Sequence, residues 1–435
     1  MIYRFKLDFF HEVALEPGIP QLTITDIYDN KQQRYQLHIK VHNESKKPIP
    51  LLMGLLDSTG RELIEERLLL ITQAEMKFEF PDMATRPIPS LFRSFSAPIY
   101  LYQTVSNDDL LVLMQHDPNL YNRCEASKKL ILNLVTEYCA NQTINYPKAL
   151  FSAYRSLLLN NDIEPWILAE LLTISSEEEL IASFEKPHFE LLATARQQIQ
   201  KTLAEELKND WPTLFKRINE YLPNPSPQFE LFDIKDAGMR RLKEVYYSYL
   251  QHIDFPTTKN ALLKQFKTSL ISNMTETISS LSLLATMGCA QEMDSALQQF
   301  YDYWKDDTHA INYWFRIQAS IHSNTVVKRV EQLLDHPAFD ILNPNKVYSL
   351  MGSFIMNPYG FHNSSGQGYK LVAKIILVLD KLNPPLAANL TQKLIAWEKY
   401  DELRRKLMLE CLVFINKEAI STDVKNSSHK GIKAD

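Results

Sequence analysis

The chain has 435 residues, of which 45% are hydrophobic and 23% charged, a composition typical of a globular protein with more than one domain. The formal net charge is −5, so no surplus of basic residues points to nucleic acid or to an anionic membrane surface. Only 10 glycines are present, which favours helix and argues against glycine-rich phosphate loops.

Residues 20–103 show the alternation of polar and apolar side chains that is typical of half-buried strands. The pattern runs from Arg34 to His42 and again from Glu75 to Phe80. Further strands are expected at about 22–27, 51–56, 63–71 and 99–102. Short strands at this spacing predict a two-sheet sandwich of immunoglobulin-like type.

Residues 104–415 are predicted to be helical throughout. Apolar side chains recur at helical spacing, as at Leu371, Ile375 and Leu379. Beyond a first helix capped by Ser106 and a second with one apolar face over 130–139, helices are expected at about 147–158, 163–173, 187–208, 232–251, 258–272, 275–290, 292–304, 307–320, 369–382, 385–398 and 401–414. Many helices with short connections predict an armadillo- or HEAT-like superhelical solenoid. The fold class is therefore α+β and mainly α, with the sandwich before the helices.

The two ends of the chain differ from the domains between them. Residues 1–19 are expected to be a connecting segment, and residues 1–10 lack the apolar core of a signal peptide. Residues 416–435 lose the apolar pattern, which predicts a disordered tail.

The cysteines and the apolar runs indicate where the protein works. Cys124, Cys139, Cys289 and Cys411 lie in apolar helical contexts without a CxxC pair, as expected of reduced thiols. No apolar run approaches the ~20 residues of a transmembrane helix. The sequence therefore predicts a cytoplasmic protein without a membrane or a nucleic-acid partner.

A glycine-rich corner interrupts the helical region between Asn343 and Tyr369. Four of the ten glycines fall here, and two Asn-Pro pairs, beginning at Asn343 and Asn357, are expected to start helices. Lys346–Ile355 is predicted to be a helix with one apolar stripe. From the local pattern alone, the corner is a helix-loop-helix structure with buried aromatic rings. His362 is then more simply a buried histidine bonded to loop backbone than a functional imidazole.

This corner resembles the run NPNRxRxLIGxFxxxNPxxFHxxxGxGY in the C-terminal helical domain of bacterial aminopeptidase N, in the zinc-dependent M1 peptidase family. The matching positions are Asn343, Pro344, Asn345, Gly352, Phe354, Asn357, Pro358, Phe361, His362, Gly366, Gly368 and Tyr369. The resemblance covers nearly the whole chain, from Gly18-Ile19-Pro20 to Lys399-Tyr400-Asp401.

The resemblance implies that the chain is the C-terminal portion of such an enzyme, in which zinc-activated water removes N-terminal residues from peptides. The family's zinc site needs a helix with HExxH, whose two histidines bind the metal. In this chain the segment that begins like the motif is His11-Glu12-Val13-Ala14-Leu15. Leu15 occupies the position of the second histidine ligand, so the segment cannot bind zinc in this way. No catalytic residue, metal ligand or cofactor is therefore expected in this chain, and zinc belongs to the complete enzyme. The expected partner is a catalytic zinc-peptidase domain, in the same polypeptide or in a separate chain.

The resemblance also places four residues in the channel that peptides cross in the complete enzyme. Asn345 and Tyr348 lie on the helix after Asn343-Pro344, and Pro385 and Asn389 lie on the helix that begins at Asn383-Pro384. Related bacterial enzymes tend to carry Arg, Gln and Arg at the positions of Tyr348, Pro385 and Asn389. This sequence therefore lacks two positive charges and an amide there.

Two alternatives stay open. The helices are also compatible with a non-enzymatic α-solenoid module that recruits other proteins. At a second place, Asp306, Asp307 and His309 are close enough in sequence to suggest a metal, although a cap by Asp307 or Thr308 on the following helix is the simpler interpretation.

Overall fold

The computed structural model describes residues 18–43, 48–222 and 233–432 of the chain. His11, Glu12 and Leu15 lie outside these residues, as does nearly all of the predicted connecting segment. The described residues form two compact units, and the first holds those up to Asn133 together with Asn145–Ile163 and Glu170–Leu172. The second holds Leu134–Ile144, Glu164–Ala169 and the described residues from Thr173 onward.

Seven strands in the first unit form two sheets. They are β1 (Gln21–Asp29), β2 (Arg34–Val41), β3 (Ile49–Leu56), β4 (Arg67–Ile71), β5 (Glu75–Phe80), β6 (Ile88–Ser90) and β7 (Tyr100–Tyr102). One sheet has the strand order β5-β2-β1-β7 and the other has the order β4-β3-β6. All strand pairs are antiparallel except β1 with β7.

The core of the sandwich follows from the alternation in the sequence. Leu37 and Ile39 of β2 and Leu51 and Met53 of β3 are fully buried between the sheets. Because successive side chains of a strand point to opposite faces, every second residue reaches this core. The predicted sandwich is therefore confirmed.

Helices make up almost all of the rest of the described chain. They are α1 (Asn107–His116), α2 (Leu120–Asn141), α3 (Leu150–Leu159), α4 (Pro165–Leu172), α5 (Glu177–Ser183), α6 (Phe189–Glu206), α7 (Trp211–Tyr221), α8 (Ile234–Leu250), α9 (Phe255–Ser269), α10 (Met274–Thr286), α11 (Ala290–Trp304), α12 (Thr308–Ala319), α13 (Val326–Leu334), α14 (Pro344–Val347), α15 (Ser353–Met356), α16 (Pro358–Phe361), α17 (Gln367–Leu382), α18 (Pro384–Ile395), α19 (Glu402–Glu418) and α20 (Thr422–Ile432). The predicted mainly helical second part is confirmed.

Side-chain caps fix where several helices begin. The Ser106 hydroxyl accepts the N–H of Asp109 at 3.1 Å, and the Asp307 carboxylate accepts the N–H of Ala310 at 2.8 Å. Both caps satisfy a backbone donor that has no partner within the helix. The capping interpretation of Asp307 is thus confirmed.

The prediction of a disordered tail after residue 415 is wrong. Helix α19 continues to Glu418, and α20 packs against α18 and α19 through Val424, Ser428 and Gly431, all buried. The Asp380 carboxylate also accepts the N–H of Ile420 at 2.6 Å, which holds the link between the two helices. The buried face of α20 is built mainly from small residues, so the sequence shows almost no apolar periodicity there.

A substitution at Val424 tests whether α20 is held by this packing. Because Val424 is fully buried, Val424→Asp places an unpaired carboxylate in an apolar contact and is expected to release the helix. Limited proteolysis should then cut the variant after residue 418 at a protease dose that leaves the parent chain intact. Lys425→Ala, on the exposed side of the same helix, is the control and should resist like the parent. Equal cutting of the parent chain would contradict the packed helix.

Candidate functional site

The glycine-rich corner begins with a capped helix that changes its winding. The Asn343 Oδ1 accepts the N–H of Asn345 at 3.0 Å, and Pro344 is the first residue of α14. The next turn, Tyr348–Gly352, is π-helical and leads into α15. The predicted continuous α-helix over 346–355 is therefore interrupted by a wider turn. Such turns occur often at functional sites.

Asn357 connects the corner to a neighbouring helix. Its side chain is buried, and its Nδ2 donates to the carbonyls of Ala319 and Ile321, each at 2.9 Å. Its Oδ1 accepts the N–H of Tyr359 at 3.2 Å, so the same side chain caps α16. The predicted helix start at Asn357-Pro358 is confirmed, and the asparagine additionally bonds the end of α12.

His362 is buried, as predicted, but its ring bonds a side chain rather than the loop backbone. The Nδ1 atom lies 2.8 Å from the hydroxyl of Tyr369, and the ring packs on Tyr400 with 4.3 Å between centroids. Burial and the nearby Arg404 guanidinium lower the pKa of His362 to about 3. Burial also raises the pKa of Tyr369. The two rings are therefore uncharged at neutral pH, and the pair holds the loop in shape.

Arg404 holds this loop from the opposite side. Its side chain is 5% exposed; its Nε donates to the His362 carbonyl at 2.8 Å, and its Nη1 donates to Asp401 at 2.6 Å. Its Nη2 pairs with Glu190 of α6. One guanidinium thus joins α6, the corner and the start of α19. No local pattern in the sequence connects Arg404 with a residue 214 positions away.

The pH dependence of stability tests the buried state of His362. The unfolded histidine takes up a proton below a pKa of 6.5, while the folded one stays neutral down to about 3. The contribution of neutral His362 to the free energy of unfolding is therefore fully present above pH ~6.5. It falls by up to about 1.4 kcal/mol per pH unit as the pH decreases below that value. Urea denaturation should show a smaller loss on acidification for His362→Gln than for the parent chain. His309→Gln, at an exposed histidine, should leave the loss unchanged. An identical pH dependence in all three proteins would contradict this account.

The four predicted channel residues are all exposed to solvent. Asn345 and Tyr348 lie on α14 and on the π-helical turn, and the Tyr348 side chain is 44% exposed. Pro385 and Asn389 lie on α18. The two pairs stand on helices with different neighbours, since the π-helical turn packs on α12 whereas α18 packs on α17 and α20. Because all four side chains are exposed, each could contact a bound peptide or a second protein domain.

A cleft of about 470 Å³ lies between α13, the segment that follows it, and α17. Leu334, Phe339 and Leu371 give it an apolar lining, and Glu331 and Lys374 add one charge of each sign. Its volume is in the range of small-molecule sites. The cleft contains none of the four predicted channel residues.

Nothing in the described ranges has the side-chain set of a metal site. In residues 18–43, 48–222 and 233–432, no group of three or more His, Cys, Asp and Glu side chains is arranged to hold a metal ion. The residues present therefore do not fit the zinc site of the resembling family, and no chemical step is assigned to them. All four cysteines are free, and burial raises the pKa of the Cys411 thiol to about 11.

Two family models match the chain. Residues 107–433 match the model described as "Domain of unknown function (DUF3458_C) ARM repeats", which covers well over half of the chain. The chain belongs to the DUF3458_C family. Residues 18–104 match the companion DUF3458 model, described as an Ig-like fold. The immunoglobulin-like and armadillo-like predictions thus agree with both models.

The curated relatives of this DUF3458_C protein are aminopeptidases N, and it matches their C-terminal half. It is 28% identical to the aminopeptidase N of Haemophilus influenzae over 99% of this chain and 50% of the relative. It is also 28% identical to that of Escherichia coli over 93% of this chain and 48% of the relative. The chain spans about half the length of these relatives.

A solved structure gives the same result at higher similarity. The crystal structure of Legionella pneumophila aminopeptidase A in complex with aspartic acid is 48% identical to the chain, with a TM-score of 0.92. The match covers 98% of this chain and 50% of the Legionella chain. Among the described helices, none has the length and apolar composition needed to cross a membrane.

Proposed function

We propose that this chain encloses the active site of an M1-type aminopeptidase. The zinc-binding catalytic domain of that enzyme is formed by residues other than those of this chain, in the same polypeptide or in a second one. The observation that carries the proposal is the match to the C-terminal half of three aminopeptidases N and to half of the chain of one aminopeptidase A. The absence of HExxH from the sequence supports it, because that motif supplies two zinc ligands and the general base. We further propose that the protein works in the cytoplasm.

In the complete enzyme, this chain would guide the peptide to the active site and keep bulk water out of it. Asn345, Tyr348, Pro385 and Asn389 would line the path of the peptide, and their exposure supports this role. The buried Arg404 and the His362–Tyr369 pair would keep the corner rigid, which favours a fixed channel wall. Enclosing the site would also exclude bulk water from the catalytic domain's reaction.

The substrate class is a narrower proposal. Identity to the Legionella aminopeptidase A is 48%, compared with 28–30% for the aminopeptidases N. That structure contains aspartic acid. We therefore propose that the complete enzyme prefers peptides with an acidic N-terminal residue.

A hybrid enzyme tests both proposals. In the hybrid, this 435-residue chain replaces the matching half of Legionella aminopeptidase A. We expect it to release amino acids from aminoacyl arylamides, with aspartyl arylamide cleaved faster than leucyl arylamide. Faster cleavage of the leucyl substrate would overturn the acidic preference. A folded but inactive hybrid would overturn the enclosing role and favour the non-enzymatic interaction module.

A further inference from the structure

The outer face of the β5-β2-β1-β7 sheet is polar where β2 and β5 lie side by side. Gln36 donates to Glu79 at 2.7 Å, and His38 bonds Glu75 at 2.6 Å, both across neighbouring strands. Polar cross-strand pairs of this kind are typical of the solvent side of a sandwich. The β1 and β7 side of the same face is less polar, since Ile27, Tyr100 and Tyr102 are each more than half exposed there.

The outer face of the β4-β3-β6 sheet is different. On β4, Leu68 and Leu70 point away from the core and are each 40% exposed, whereas Ile71 is buried. Leu68 stands opposite Leu52 of β3, and Leu70 stands opposite Pro50. Alternation calls for polar residues at these outward positions, and an edge strand such as β4 usually carries charges. Here the outward positions form an apolar surface.

Part of the same face is already covered by the chain itself. Gly54 is the next outward position on β3, and a Cβ there would come within 2.4 Å of the Arg93 guanidinium. Arg93 is buried over this glycine and bonds Ser90 at 2.8 Å and Glu62 at 2.7 Å. Asn122 of α2 also donates to Ser90, at 2.8 Å. Arg93 therefore covers Gly54, whereas no described residue of the chain buries Leu68 and Leu70 to the same extent.

A further exposed apolar side chain, that of Phe95, is held next to β3. The Ser96 hydroxyl accepts the N–H of Leu52 at 3.1 Å and donates to the carbonyl of Pro50 at 3.2 Å. The turn that holds Phe95 therefore lies beside β3, on the side away from β4. The Phe95 ring is 57% exposed and lies 5.7 Å from the ring of Tyr121.

The backbone that presents Phe95 has an uncommon conformation. Phe92, Ser94 and Phe95 have φ angles of 52°, 55° and 53°, a left-handed region that residues other than glycine rarely occupy. Three such residues in four positions persist only where surrounding contacts impose them, and they cluster at functional surfaces. The strain supports a function for the exposed ring.

We propose that these outward residues, here called the apolar face, are the surface on which the catalytic half of the aminopeptidase packs. The apolar face consists of Pro50, Leu52, Leu68, Leu70, Phe95 and Tyr121. The proposal rests on the proposed function and names the surface that it uses. The occupant is a folded body of similar length to this chain, because the match leaves half of the Legionella chain uncovered. An apolar surface rimmed by polar residues is typical of such an interface.

Hydroxyl-radical footprinting of the isolated chain and of the hybrid enzyme tests the apolar face. We expect labelling of Phe95, Leu68 and Leu70 to fall several-fold in the hybrid. Labelling of Ile27, which is 63% exposed on β1 of the β5-β2-β1-β7 sheet, should stay the same. Equal labelling of the apolar face in the two proteins would overturn the proposal.

Charge substitutions supply a second measurement. Leu68→Lys and Leu70→Lys together should leave the melting temperature of the isolated chain unchanged, because both side chains are partly in water already. In the hybrid they should lower the melting temperature and increase cleavage by protease at the junction of the two halves. Ile27→Lys is the matched control and should do neither. A hybrid unaffected by the lysines would overturn the proposal.

The outcomes separate this surface from the proposed function. An active hybrid with an unprotected apolar face would retain the function and overturn the surface. A folded, inactive hybrid with an unprotected face would overturn both. Protection that appears in the isolated chain and rises with its concentration would show that a second copy covers the face, which also overturns the proposal.

Discussion

Gly368→Ala is expected to destabilise the helical corner by about 3 kcal/mol, through a clash that no side chain can relieve. A Cβ at this position would lie 2.3 Å from the carbonyl oxygen of Gly360 and 2.8 Å from that of Phe361. Both contacts are with backbone, so α17 and α16 would have to move apart. That movement would also separate His362 from Tyr369.

Gly352→Ala is the matched control for this substitution. Gly352 has helical backbone angles, and a Cβ there would lie 3.6 Å from the Tyr348 ring, an ordinary contact. Replacing a helical glycine by alanine is expected to stabilise by about 0.5–1 kcal/mol. Hydrogen exchange of amides in α17 measures the opening free energy of both variants. A loss of similar size in the two variants would show that the close approach at Gly368 has no special role.

Arg404→Met is expected to cost about 2–3 kcal/mol, mainly because it leaves the carbonyl of the buried His362 without a donor. The side chains of Asp401 and Glu190 are partly exposed, so water replaces much of what they lose, and their contribution is correspondingly small. Methionine fills a similar volume, so the loss reports the hydrogen bonds rather than a cavity. The same exchange measurement detects it at the amides of the corner.

Two further variants separate this effect from general charge removal. Arg34→Met removes a surface ion pair with Glu79, 3.5 Å apart, and is expected to cost less than about 0.5 kcal/mol. Arg404→Lys should recover only part of the loss, because an ammonium lacks the planar fork that reaches three acceptors. A cost for Arg404→Met no larger than for Arg34→Met would contradict the proposed role of Arg404 in holding the corner.

The strands and the helix starts could be predicted because they depend on neighbours in sequence. Alternation identified β2 and β5, and Asn343 and Asn357 indicated helix starts through caps that they form two residues along the chain. Helices α5, α7 and α13 were missed. Helix α13 carries three valines, whose β-branched side chains favour strands, so its pattern looked ambiguous. Helix α7 has only a few core residues, such as Trp211, among many polar ones.

The features that hold the corner could not be predicted, because they depend on distant residues. The π-helical turn places Leu350 and Phe354 in the core just as a regular helix would, so the apolar stripe does not distinguish them. The bond from Arg404 to Glu190 joins α19 to α6, and only the folded chain shows it. The apolar face could not be predicted either, because the sequence does not distinguish a leucine on the outer side of a strand from one in the core.

The central claim is that this chain encloses an active site whose catalytic residues belong to a different domain. An activity assay of the isolated chain tests this claim most directly. The purified 435-residue protein is assayed with zinc on aspartyl and leucyl arylamides. We expect no release of amino acids, because the sequence has no HExxH motif. Release that is proportional to the concentration of the chain and is abolished by a chelator would contradict the account.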